Sequence, residues 1–97
     1  MDVREYELMY IVRPTVTEEQ LPAVNERVGS IVGSLGGEVA ESNPWGKRRL
    51  AYPIQDHEDG HYILAKVKIP SGQTRELEEQ LRISDDVIRH ILVRPGE

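Results

Sequence analysis

Four stretches of the chain are rich in apolar, β-branched and aromatic residues; the first and last are apolar on both faces, whereas the two between them contain apolar residues that alternate with polar ones. In an extended chain, successive side chains point to opposite faces, so these stretches predict β-strands. The strands are predicted over residues 6–13, 38–54, 61–70 and 87–94. The second strand is expected to bend or break at residues 42–44, where Ser, Asn and Pro follow one another. Residues 55–60 are polar and predict a hairpin turn before the third strand.

Two other stretches repeat apolar residues at helical spacing. In the first, Thr17 and Gln20 have the spacing of a capping box, and Gly36 and Gly37 mark the end of the helix. Pro22 fits poorly if Thr17 is the N-cap, so a start one turn later is also open. The apolar residues of this helix are Leu21, Val24, Val28, Ile31, Val32 and Leu35.

The second predicted helix is shorter. It opens at residues 71–72, places Leu77 and Leu81 one turn apart, and ends near Ser84. The full order is therefore strand, helix, strand, strand, helix, strand. This order predicts an α+β, ferredoxin-like βαββαβ sandwich, in which both helices cover one face of a four-stranded antiparallel sheet.

Residues 1–97 are expected to form a single domain, since this length supports one two-layer core. Right-handed crossovers place the first and third strands at the centre of the sheet and the other two at its edges. One sheet face then remains uncovered. Its expected apolar residues are Met9, Ile11, Ala51, Tyr62, Leu64, Ile91 and Val93, and its expected rim is Arg13, Arg49, Lys66, Lys68 and Arg89. An apolar patch with a cationic rim is typical of a surface that binds a partner.

Three consecutive cations, Lys47, Arg48 and Arg49, precede an apolar end of the second strand. We call these three residues the basic segment. The alternation predicts that Leu50, Tyr52 and Ile54 face the core and that Lys47, Arg49, Ala51 and Pro53 face outward. Pro53 has no N–H for a neighbouring strand, which favours an edge position. Taken alone, such a triplet is more often a solvated strand end than a binding site.

The overall charge argues against nucleic-acid binding. The chain has 12 Lys and Arg against 17 Asp and Glu, a formal net charge of −5. However, the acidic residues concentrate in the helices and a turn, whereas many of the cations lie in predicted strands. A positive sheet surface is therefore compatible with an acidic chain.

Neither a disulfide nor a membrane span is expected. The chain contains no Cys, and no apolar run approaches the ~20 residues that a membrane helix needs. The charged first residues are unlike a signal peptide, so a cytoplasmic location is expected.

Catalysis, a cofactor and a metal site are not expected either. His57, His61 and His90 are scattered and have no local partner of the kind that marks a triad or a metal site. An acyl-phosphate hydrolase on this fold would need an anion-cradling loop after the first strand, and residues 13–17 lack the necessary glycines.

Residues 46–54, Gly-Lys-Arg-Arg-Leu-Ala-Tyr-Pro-Ile, resemble the signature of the bacterial small-subunit ribosomal protein S6 family. Residues 6–14, 60–62 and 81–90 resemble other family segments, in the same order. The resemblance implies a structural protein of the small ribosomal subunit that binds small-subunit ribosomal RNA together with a basic partner, ribosomal protein S18. It also implies an isolated monomer that works on the ribosome in the cytoplasm.

On this interpretation the basic segment contacts RNA phosphates. Arg13, Arg89 and Arg94 are weaker candidates, and the uncovered face with the edge of the second strand receives the protein partner. The face lacks the aromatic platform of an RNA-recognition motif, so backbone and shape contacts are expected. Trp45 fits equally well as a cover for the strand bend or as a stacking partner for a base.

A different class of function is also open, a ferredoxin-like regulatory or small-ligand module that forms a homodimer through the same apolar face. The homodimer would sediment as a dimer, whereas the ribosomal interpretation predicts a monomer.

Overall fold

The computed structural model describes residues 2–54 and 57–95, and the predicted order of elements is confirmed. The first strand begins earlier than the sequence predicted, at Val3 and not at residue 6. The elements are β1 (Val3–Val12), α1 (Leu21–Ser34), β2 (Glu38–Ile54), β3 (His57–Pro70), a 3-10 turn (Ser71–Gln73), α2 (Thr74–Arg82) and β4 (Val87–Val93).

The strands form one antiparallel sheet in the order β2-β3-β1-β4. The predicted central and edge positions are therefore confirmed. Met9 lies at the centre, paired with Leu64 of β3 on one side and with Ile91 of β4 on the other. The expected α+β sandwich, with two helices and a four-stranded sheet, is confirmed as well.

The first helix begins later than its capping box. The Thr17 N–H donates to Gln20 Oε1 at 3.1 Å, and the Gln20 N–H donates to Thr17 Oγ1 at 3.2 Å, but both bonds close a turn that precedes the helix. The helix itself begins at Leu21, so that Pro22 lies in the first turn, where a missing N–H costs little. At the other end Gly36 adopts φ +86°, and the Gly37 N–H donates to the Val32 carbonyl at 3.0 Å.

Within the described residues, neither helix is long and apolar enough to cross a membrane. Both helices instead pack on one face of the sheet. The core between them consists of Tyr6, Leu8, Tyr10, Val12, Val16, Val24, Val28, Val32, Ile63, Ala65, Val67, Ile69, Leu77, Leu81 and Val87. The Tyr10 hydroxyl donates to Asn25 Oδ1 at 2.6 Å. Burial raises the pKa of Tyr10 to about 12, although a side-chain hydrogen bond with Ser42 acts in the opposite direction.

The second strand does not break at residues 42–44, because β2 is continuous from Glu38 to Ile54. Pro44 pairs in register with Ile63, which an edge strand tolerates. A register shift follows directly, between Pro44 and Gly46, and others lie between Val39 and Glu41 and after Arg49. The predicted turn is also too long, since β3 begins at His57; residues 55 and 56 lie outside the described part of the chain.

Leu50, Tyr52 and Ile54 do not face the helix-covered core as the alternation predicted. After Arg49 the ladder with β3 resumes only at Ile54, so the two-residue period is lost. Leu50 instead packs with Ile11 and the partly buried Ile54 in a second apolar cluster, while Tyr52 remains 56 % exposed. The end of β2 therefore lies against the sheet face opposite the helices.

A bulge in β4 reverses the expected sides of two further residues. Ile11 pairs with Arg89 and Val12 pairs with Val87, which leaves Ile88 as the extra residue. Val87 therefore joins the helix-covered core, and Ile88 joins the second cluster with Ile11. An unbroken alternation with Ile91 and Val93, which are expected on the uncovered face, places Ile88 on the helix side instead.

Candidate nucleic-acid interface

The basic segment lies where the β2–β3 hairpin extends past the rest of the sheet. Lys47 pairs with His61, Arg48 with Gly60 and Arg49 with Asp59. β1 pairs with β3 only over residues 61–70. Arg48 and Arg49 therefore lie opposite residues of β3 that have no pairing partner on β1. All three cations are exposed.

The chain's own acids only partly occupy these cations. Lys47 Nζ lies 3.9 Å from Asp59 Oδ2, and the two side chains are about half exposed at 49 % and 43 %. An exposed pair at this distance contributes little and exchanges readily for another anion. Arg49 makes no side-chain hydrogen bond or ion pair within residues 2–54 and 57–95.

Arg48 makes contacts of a different kind. Its Nε donates to the Trp45 carbonyl at 3.3 Å, and its guanidinium carbon lies 5.8 Å from the centroid of the Trp45 ring. Neither contact neutralises the charge. An arginine held over an aromatic ring keeps several N–H donors for an external oxygen.

The local charge is positive although the chain is acidic. The basic segment shares a shallow cleft with Glu58 and Asp59, so three cations face two acids. The acids lie on β3 and the cations on the edge strand, which leaves the outer edge to the cations. This geometry can bind a phosphate backbone weakly and in a salt-dependent way.

Arg13 serves the fold. Its Nη2 and Nε donate to Asp86 Oδ1 at 2.8 and 3.2 Å, and Arg27 Nη1 donates to Asp86 Oδ2 at 2.6 Å. The Asp86 side chain is only 8 % exposed. Sequence reasoning missed this network, because no spacing along the chain indicates that residues 13, 27 and 86 meet. Arg13 is consequently less available to RNA than the basic segment.

Arg89 and Arg94 lie away from the basic segment. Arg89 projects from β4 on the uncovered face, where its guanidinium donates to the Tyr52 hydroxyl and lies 5.7 Å from the Tyr52 ring centroid. Arg94 follows β4 and is exposed. The structure therefore does not bring the six predicted RNA-binding cations into one site.

The predicted partner face is apolar and partly covered by the chain's own β2. Ile91 and Val93 are 43 % and 47 % exposed and Ala51 is exposed, while Met9, Tyr62 and Leu64 are partly buried. Ile11 is only 5 % exposed because Leu50 and Ile88 pack on it. A cleft of about 230 Å³ remains between the end of β2 and the sheet. Of the predicted rim, Lys66 Nζ lies 3.6 Å from Glu41 Oε2.

The histidines have structural surroundings. His61 is buried and its Nε2 lies 2.6 Å from the Val16 carbonyl, a distance at which the protonated nitrogen donates. His90 Nε2 lies 3.6 Å from Glu78 Oε1. In the described ranges no group of His, Asp and Glu is arranged to hold a metal ion.

Comparisons with known proteins agree with the sequence signature. The family model described as ribosomal protein S6 matches residues 5–94. The small ribosomal subunit protein bS6 of Desulforamulus reducens is 42 % identical over 95 residues, which cover 98 % of this chain and all of the relative. The bS6 protein of Desulforudis audaxviator is 39 % identical over 92 residues, or 95 % of this chain and 98 % of the relative.

A solved structure supports the same relationship. The crystal structure of ribosomal protein S6 from Thermotoga maritima superposes with a TM-score of 0.85 at 30 % identity, covering 96 % of this chain and 88 % of that one. The agreement in sequence and fold extends over nearly the whole chain, and it does not favour the regulatory homodimer. The chain belongs to the ribosomal protein S6 family, and it is a non-catalytic structural component of the small ribosomal subunit.

Proposed function

We propose that this protein binds the phosphates of small-subunit ribosomal RNA chiefly through Lys47, Arg48 and Arg49. The observation that carries the proposal is the state of these three side chains. They are exposed at a sheet edge, Arg49 has no acidic partner in the described ranges, and the Lys47 pair is long and solvated. Their number predicts modest affinity, because each neutralised phosphate adds one increment of counterion release.

The other candidate cations contribute less in this proposal. Arg89 is held at the Tyr52 ring, and Arg94 follows β4, at the opposite edge of the sheet from the basic segment. Arg13 contributes least, since the buried Asp86 already accepts two of its hydrogen bonds.

Joint binding with a basic protein, ribosomal protein S18, completes the proposal. A chain of net charge −5 cannot neutralise much phosphate by itself, so a basic partner supplies the remainder. The partner docks on the uncovered face and the edge of β2, where exposed Ile91 lines an apolar cleft and exposed Val93 lies on the same face. The isolated chain is then a monomer whose apolar face becomes covered on assembly.

Charge reversal tests the RNA contact. The double variant Lys47→Glu/Arg49→Glu should lose at least tenfold in competition with wild type for small-subunit particles that lack this protein, at physiological salt. The matched control is Arg75→Glu/Arg82→Glu, which changes the net charge equally on exposed positions of α2. The control should remain within about twofold of wild type. Equal competition by both doubles would show that the basic segment does not hold the RNA.

A separate experiment tests the protein contact. Ile91→Glu places a charge on the uncovered face without altering the basic segment. Tagged wild-type chain should retain a small basic protein after nuclease digestion of the RNA, and Ile91→Glu should lose it. Retention of that protein by Ile91→Glu would place the partner elsewhere. Sedimentation of the isolated chain as a dimer would contradict the monomeric state.

A further inference from the structure

Trp45 is the extra residue of a β-bulge at the start of the basic segment. Pro44 pairs with Ile63 and Gly46 pairs with Tyr62, so that Trp45 has no partner residue on β3. Gly46 adopts φ +86°, a conformation that glycine reaches without strain. A bulge of this kind re-aims a side chain out of the regular alternation of its strand. Here it presents an indole two residues before the first cation.

The indole is exposed and belongs to neither apolar cluster of the protein. Trp45 is 44 % exposed, and the clusters on the two sides of the sheet are complete without it. Arg48 fixes its position, with the guanidinium carbon 5.8 Å from the ring centroid and Nε bonded to the Trp45 carbonyl. The guanidinium stands over the ring, yet nearly half of the residue's surface still meets solvent. A side chain that served only to cover the strand at the bulge would be buried.

We infer that Trp45, backed by Arg48, is a stacking site for an unpaired nucleobase of the RNA that the basic segment holds; this inference rests on the proposed function. Cations that hold a backbone beside an aromatic ring that stacks a base are the usual elements of single-strand binding. Every base has a π-face, so the site accepts any base and reads no sequence. A flipped or looped nucleotide next to the held phosphates is the ligand of this chemistry.

The charge around the ring argues against a protein occupant. Arg48 lies over the ring and Lys47 and Arg49 flank Arg48 along β2, whereas the proposed protein partner is itself basic and would be repelled there. The apolar cleft that suits a protein lies on the sheet face, between the end of β2 and Ile91. The two surfaces therefore divide the partners, with RNA at the bulge and the basic segment, and protein on the face and at the end of β2 beyond Arg49.

The stacking site is tested by measuring how tightly three variants bind small-subunit particles that were reconstituted without this protein. Trp45→Ala should weaken binding roughly five- to hundredfold, the range that loss of one stacked base produces. Trp45→Phe keeps an aromatic face and should recover most of that affinity. Ile83→Ala is the matched control, because Ile83 is also an exposed apolar residue, 66 % exposed, but lies past the end of α2. It should bind within about twofold of wild type. Thermal melts verify that each variant is folded.

Ultraviolet crosslinking of the bound particle identifies what touches the ring. The chain contains one Trp, so a nucleotide adduct that peptide fragmentation localises to Trp45 assigns the contact. Weakened binding by Trp45→Ala, recovery by Trp45→Phe and a nucleotide adduct together support the inference. An adduct to a protein, an equal loss in Ile83→Ala, or a loss without a nucleotide adduct overturns it.

The same particles separate this inference from the proposed function. If Lys47→Glu/Arg49→Glu binds weakly while Trp45→Ala binds like wild type, the phosphate contact stands and the stacking site is wrong. If both variants bind like wild type, the proposed function fails and the inference fails with it.

Discussion

The two faces of the sheet are built from alternate residues of the same strands, yet they differ in what covers them. On β1, Leu8 points into the helix-covered core and is 0 % exposed, whereas its neighbour Met9 lies on the other face and is partly exposed. Two helices cover the helix side, and the buried side chains between the helices and the sheet form one continuous core. The other side is closed only in part, by the end of β2.

This difference assigns stability and binding to separate residues. Packing on the helix side holds the sheet together, so its residues tolerate little change. The basic segment, the bulge and the uncovered face contribute little to that packing and are exposed, which leaves them for contacts with other molecules. Substitutions should therefore lower either stability or assembly, and seldom both.

The largest expected effect comes from the pair Leu8 and Met9. Leu8→Ala leaves a cavity in the closed core and should lower the free energy of unfolding by about 2–5 kcal/mol. Met9→Ala removes a partly exposed side chain from the other face and should cost less than about 1.5 kcal/mol. Denaturant titration of both variants measures the difference. Similar losses would mean that the two faces contribute equally to the free energy of unfolding.

The ion pairs of Asp86 also stabilise the helix side of the protein. Asp86→Asn removes the charge that is contacted by Arg13, just after β1, and by Arg27 of α1. This change should destabilise the fold by about 2–4 kcal/mol. Asp85→Asn is the control, because Asp85 is exposed, and it should change the stability by less than about 0.5 kcal/mol. Thermal melts at neutral pH and low salt measure both. A neutral Asp86→Asn would reduce the network to a surface feature.

Because Tyr10 is buried on the helix side, the stability of the fold should fall at alkaline pH. Its folded pKa of about 12 lies above the ordinary value of 10.0, so the folded chain keeps the phenol proton longer than the unfolded chain does. The resulting stabilisation is fully present below pH 10 and is lost as the pH rises through 12, by roughly 2–3 kcal/mol. Unfolding curves of wild type and Tyr10→Phe should converge over this window. Parallel curves would contradict the burial of the hydroxyl.

The smallest expected effect belongs to the bulge. Gly46→Ala must adopt φ +86° with a side chain, and should cost about 1–2 kcal/mol although no atom lies within 4 Å of the new Cβ. Gly29→Ala also finds open space but lies inside α1, where it should stabilise by about 0.5–1 kcal/mol. Opposite signs in denaturant titration confirm that backbone conformation, and not crowding, decides the result at Gly46.

The sequence predicted the closed side well because its periodicity is regular. Residues 61–70 alternate without interruption, which places Ile63, Ala65, Val67 and Ile69 on one face, and all four are buried. The element order and the glycine stop after α1 follow from equally local signals, and the sheet order follows from the right-handed crossover rule.

The other side was harder to predict because bulges break the two-residue period. Leu50 lies beyond such a break and Ile88 is the extra residue of another, so a regular alternation places both on the wrong face. A proline-containing stretch looked like a break, whereas an edge strand accommodates Pro44 in register. The contact of Arg13 and Arg27 with Asp86 depends on the tertiary fold alone, so no local pattern indicates it.

Salt dependence of particle binding tests the central claim most directly. The logarithm of the association constant should fall linearly with the logarithm of salt concentration, and Arg49→Gln should reduce that slope by roughly 0.7–0.9, the contribution of one phosphate contact. Arg82→Gln, on the exposed side of α2, should leave the slope of wild type unchanged. An Arg49→Gln slope equal to that of wild type would contradict an RNA contact by the basic segment.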